Sequence, residues 1–161
     1  MHRRSVVALA LVALAPLLAA CSSDDDSSPS EESSTSAAPL DLSGVEVEAV
    51  CTDLGAVYDW MVGAQEYSSD VAGLREYFAT ETPAAIEHVN AAAAASDGEL
   101  ATALEQMAET YQANFDESQS LSDEEFAASL LSPEPDAELD EAIVVVNRFT
   151  DPECGFRFTT V

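Results

Sequence analysis

Beyond Ser43 the apolar residues recur at three- and four-residue steps, the spacing that lines one face of an α-helix. Val47, Val50, Leu54, Val57, Met61 and Ala64 make the first stripe. Ser43-Gly-Val-Glu46 before it has the form of a capping box. A second helix is expected from Ser69 or Asp70 to Phe78, with Val71, Leu74 and Phe78 inward. Thr82-Pro83 reads as an N-cap followed by proline at the first helical position. It opens a third helix carrying Ile86, Val89 and Ala93 and ending before Asp97-Gly98. Ser96-Asp-Gly-Glu99, again box-like, starts a fourth with Leu100, Leu104, Met107 and Tyr111 on its stripe, reaching Phe115. Ser122-Asp-Glu-Glu125 caps a short fifth bearing Phe126, Leu130 and Leu131. Ser132-Pro-Glu-Pro135 breaks the chain ahead of a last helix with Leu139, Ile143, Val146 and Phe149 or Thr150 inward. The β-branched run Ile143 to Val146 would suit a strand. The acidic lead-in from Asp136 to Glu141 favours a helix instead. The tail Phe156-Arg-Phe-Thr-Thr-Val161 alternates with a strand period. An extended tail folded back on the helices is preferred over an exposed strand for a partner. The fold class expected is all-α, an antiparallel bundle of five or six helices.

The first residues follow another pattern. His2, Arg3 and Arg4 give a positive start, and Val6 to Leu18 is an apolar run interrupted only by Pro16. That run is too short for a spanning helix, which needs about 20 apolar residues. It fits a secretory signal with small residues at the cut. Leu18-Ala19-Ala20-Cys21 resembles the lipobox of bacterial lipoproteins. The resemblance covers residues 1–21. It implies diacylglyceryl transfer to the Cys21 sulfur, cleavage before Cys21, and a mature protein held on a membrane. Two acyl chains on one residue would meet the requirement that stable anchoring takes two hydrophobic signals.

Three segments follow from these patterns: a signal peptide over 1–20, a lipidated acidic Ser-rich linker over 21–43, and a helical domain over 44–161. Ser23 to Ser36 holds no large apolar residue, so it cannot bury enough surface to offset its ordering entropy. Its carboxylates repel one another and should extend it, holding the domain off the membrane.

Charge narrows the partners. All 31 acidic residues follow Cys21 and face only three arginines, Arg75, Arg148 and Arg157, giving the mature chain a formal charge of −28. There is no lysine. Nucleic acid is excluded as a partner, because phosphate binding is driven by Lys and Arg. Docking on anionic lipid by charge is excluded on the same ground, so the acyl anchor must hold the membrane alone. Absent lysine and abundant alanine resemble the composition of proteins from GC-rich bacterial genomes such as those of actinobacteria.

With Cys21 assigned to lipid, Cys51 and Cys154 remain in an oxidising compartment, where a disulfide is the default. They lack the Cys-x-x-Cys spacing of redox sites. The bond would fasten the end of the last helix near the start of the first.

No reaction centre stands out. His88 lies off its helix's inward stripe and reads as a surface histidine, since zinc needs several converging ligands. The acidic runs at Asp24–Asp26, Asp123–Glu125 and Glu134–Glu141 lack the Asp-x-Asp-x-Asp-Gly spacing of a calcium loop. No Gly-x-Ser-x-Gly elbow accompanies the serines. Neither a metal nor a cofactor is expected. Tyr58 and Trp60 flank the first stripe and are candidate partner contacts, although core-edge packing explains them as well. The function expected is a non-enzymatic, membrane-anchored extracytoplasmic module that binds or scaffolds a cell-envelope partner. The alternative is a small-ligand- or cation-binding lipoprotein with a cavity between its helices.

Overall fold

The structure is a computed structural model that describes residues 39–131 and 136–159, without the side chains of Leu130 and Leu131. Cys21 and most of the expected linker therefore lie outside the described residues. Five α-helices follow in order: α1 Val47–Ala64, α2 Val71–Ala94, α3 Gly98–Ser120, α4 Asp123–Leu131 and α5 Ala137–Glu153. A 3-10 turn, Gln65–Tyr67, joins α1 to α2. Among the described residues there is no strand.

Four of the helices form the bundle. α1 packs on α2, α2 on α3, α3 on α5, and α5 returns to α1. Hydrogen bonds between α1 and the α2 side of the bundle fix them as antiparallel neighbours. Glu46 N–H donates to the Ala95 carbonyl at 2.8 Å, Asp53 meets His88 at 2.8 Å, and the Trp60 carbonyl accepts from Tyr77 at 2.8 Å. Going up α1 thus means going down α2. The short α4 leans on α2 at the end opposite the disulfide.

The main core takes Val50, Leu54 and Val57 from α1, Val89, Ala92 and Ala93 from α2, and Leu100, Leu104 and Met107 from α3. α5 adds Ile143, Val146 and Phe149. Apart from Ala92, these are the residues that the three- and four-step pattern points inward. A second cluster, Ala64, Leu74, Phe78 and Phe126, holds the 3-10 end and α4 together. Val71 departs from the expected stripe and stays exposed, because it is the first residue of α2 and lies at the corner of the bundle.

Thr82-Pro83 does not begin a helix. α2 runs through it from Val71 to Ala94, so the two helices expected here are one. Pro83 lies on the exposed face, as does Ala79 one turn earlier, so the carbonyl that loses its donor is beside water. Thr82 is buried, which an N-cap at a solvent boundary would not require.

Two of the three box-like sequences do not close. Ser43 N–H donates to Asp41 at 3.0 Å, Gly44 turns the chain with φ +89°, and the N-cap Glu46 accepts no side-chain bond. Ser96 spends its hydroxyl on the Ala92 carbonyl, and Asp97 caps α3 instead. At α4 the box does close: Ser122 N–H donates to Glu125 at 2.9 Å, and Glu125 N–H donates to the Ser122 hydroxyl at 3.3 Å. Asp70 and Asp136 cap α2 and α5. The packed domain also starts slightly before the boundary expected at residue 44, because Leu40 and Leu42 lie against the main core.

Candidate functional site

Cys51 and Cys154 are joined, with their Cα atoms 5.4 Å apart. Cys51 sits on the second turn of α1, and Cys154 ends α5. Gly155 then adopts φ +76°, a left-handed turn that costs glycine little, and the Phe156 N–H reaches back to the Thr150 carbonyl at 3.4 Å. The chain reverses and lies along the α1–α5 seam. Phe158 is fully buried there. Its backbone is held by the buried Asn147, whose amide donates to the Phe158 carbonyl at 2.7 Å and accepts from the Phe158 N–H at 2.7 Å. One side-chain amide thus does what a neighbouring strand would do.

Tyr58, a candidate partner contact, is half-buried on this tail. Its ring lies 5.1 Å from that of Phe156 and 6.3 Å from that of Phe158. Trp60, the other candidate, faces away from the tail toward α2 and α3. Its ring is 5.7 Å from Phe78 and 5.8 Å from Tyr111. The two candidates therefore do not share a surface. Each makes one edge-on and one tilted contact with other rings.

Arg75 carries the contacts that seat α4. It meets Asp123 at 3.0 Å, donates to the Leu121 carbonyl, and places its guanidinium 5.5 Å from the Phe126 ring centre. Arg148 pairs with Glu99 at 2.7 Å and ties α5 to the start of α3. Sequence reading assigned neither arginine a role, nor Asn147. Asn147 alone left a signal, as a polar residue on the apolar face formed by Ile143, Val146 and Thr150.

His88 is half-exposed and bonded to Asp53. Asp53 borders an open depression of about 650 Å³ lined by Glu46, Val47, Glu48, Ala49 and Thr52. The Thr52 hydroxyl donates to the Glu48 carbonyl at 2.8 Å, so it is not aligned on the His88–Asp53 pair as a nucleophile. Among the described residues no three His, Cys, Asp or Glu side chains are placed to hold a metal ion. No described helix is long and apolar enough to cross a membrane. Every described aspartate and glutamate reaches solvent.

No protein-family model matches the chain, nor does any curated protein or solved structure.

Two phenols are displaced from their ordinary range. Enough protein surrounds Tyr111 that desolvation raises its pKa above the usual 10.0. Tyr77 is raised by desolvation first, then by Glu81, Tyr67 and Glu66. A raised value in the fold means that an unfolded tyrosine gives up its proton first as pH rises. The associated stability is thus full below about pH 10 and is lost above it. For Tyr111 the loss is at most about 1.4 kcal/mol per pH unit. Tyr111→Phe is expected to flatten the fall in urea midpoint between pH 9.5 and pH 11. An unchanged slope would show that Tyr111 does not hold its proton in the fold.

Proposed function

We propose that this protein is a lipid-anchored, non-enzymatic module that binds or scaffolds a partner on the extracytoplasmic face of a cell membrane. The observation that carries the reading is the lipobox-like Leu18-Ala19-Ala20-Cys21, followed by an acidic Ser-rich stretch and a disulfide-containing bundle. A cysteine pair joined within a domain suits an oxidising compartment. The interior is filled by aliphatic and aromatic side chains, and the carboxylates lie at the surface, which suits a binding module better than a reaction chamber.

On this reading the anchor attaches at the disulfide end. The described chain enters there, where Glu46 bonds Ala95 and Cys51 bonds Cys154. The opposite end, with the 3-10 turn and α4, then points away from the membrane toward a partner. Crosslinking the full protein in its native membrane and identifying what is retained tests the partner. One stoichiometric protein supports the module, and a clean negative with the domain folded removes it. Cys21→Ala is expected to move the protein out of the membrane fraction. Persistence there would sink the lipid anchor.

A further inference from the structure

Two polar atoms in one layer of the bundle have no partner. The Trp60 indole nitrogen and the Thr82 hydroxyl are both buried, and neither makes a hydrogen bond. Thr82 is 5% exposed. The register places them together. Asp53 on α1 meets His88 on α2, and two turns further on the Trp60 carbonyl meets Tyr77. Trp60 therefore lies at the level of residues 77–82 of α2. Its ring touches Phe78, and Thr82 follows Phe78 by one turn on the same buried face. The ring of Tyr111 of α3 also lies against Trp60, 5.8 Å away by ring centres.

A buried N–H or hydroxyl left unpaired is destabilising, and such groups are nearly always satisfied by protein or by ordered water. The indole N–H can only donate, whereas the threonine hydroxyl can donate and accept. A bridging oxygen that accepts from one and bonds the other satisfies both. We propose that the α1–α2–α3 seam holds an internal site for one water molecule, bridging the Trp60 indole N–H and the Thr82 hydroxyl. Water is the guest because it needs two to four polar partners, and this layer supplies them. Thr82 then has a reason to occupy an otherwise apolar stripe of Leu74, Phe78, Ile86 and Val89.

Water-oxygen-17 relaxation dispersion on the full chain counts long-lived internal waters. Thr82→Val, which keeps the shape and removes the hydroxyl, is expected to lower the count by one. Thr82→Ser is expected to keep it. A high-resolution crystal structure of the unaltered protein should show one solvent peak at roughly 2.7–3.2 Å from both atoms. An equal count in wild type and Thr82→Val would overturn the site. So would a crystal structure in which the two atoms have protein partners or no shared peak.

Discussion

Replacing Cys51 and Cys154 by serine together is expected to lower the stability of the folded domain by about 2–4 kcal/mol, the usual range for a native disulfide. The bond closes a loop of 103 positions. The chain-entropy model gives up to about 4.7 kcal/mol for a loop of about 100 residues, by restricting the unfolded chain. The lower figure is expected because the bundle carries a substantial core of its own and because strain and residual structure reduce the ideal gain. A fall on the order of 10 °C in Tm accompanies it for a domain of this size. Total stabilities are only about 5–15 kcal/mol, so this is a large share. The double variant should still fold, since Asn147 holds the tail without the bond. Guanidinium unfolding with and without reductant checks the figure. Equal midpoints in the two conditions would show that the cross-link contributes nothing.

The pattern of apolar residues gave access to α1, α3 and α5 because their stripes are long and regular, and burial decides which face turns inward. The break expected at Thr82-Pro83 failed for a local reason. Proline at the first turn and proline on the exposed face of a long helix look alike in sequence, and only the neighbours show whether the freed carbonyl meets water. The capping sequences failed in the same way. Ser43, Ser96 and Ser122 each precede a glutamate by three, but rival partners take Ser43 and Ser96 before the box can close. The cysteine pair was legible because a compartment and a count of three leave few choices. The contacts of Arg75 were not, since they join residues 46 and 48 positions apart, and no local pattern records such a pairing. Tyr58 and Trp60 flank one stripe, yet the helix sends them to different neighbours. Sequence spacing alone placed them together as a candidate contact.

Removing the tail's anchor should have an effect at least as large as removing the disulfide. Phe158→Ala is expected to lower stability by about 3–5 kcal/mol, the range for deleting a buried aromatic ring. Phe158 is 1% exposed and touches both Tyr58 and Phe156, so the seam has little freedom to collapse on the gap. Asn147→Leu tests the backbone half of the same device. It keeps comparable bulk but leaves the Phe158 N–H and carbonyl buried without partners, at about 1–3 kcal/mol each. Asn147→Asp should separate the two bonds. The carboxylate still accepts from the Phe158 N–H but cannot donate to the Phe158 carbonyl, and it places a negative charge against that oxygen. The aspartate variant is therefore expected to be less stable than wild type at pH 7 and to regain stability as the acid is protonated. Urea midpoints at pH 7 and at pH 4.5, each relative to wild type, read this directly. The two sites are coupled through one short segment, since Cys154 and Phe158 hold the same turn at Gly155. With the disulfide intact, the released tail remains tethered beside its groove, and its effective concentration there stays high. Loss of both should therefore exceed the sum of the separate losses in the native-state population of the docked tail. Hydrogen exchange at the Phe158 amide measures that population. Protection unchanged in Asn147→Leu would mean that the amide is held by something other than Asn147.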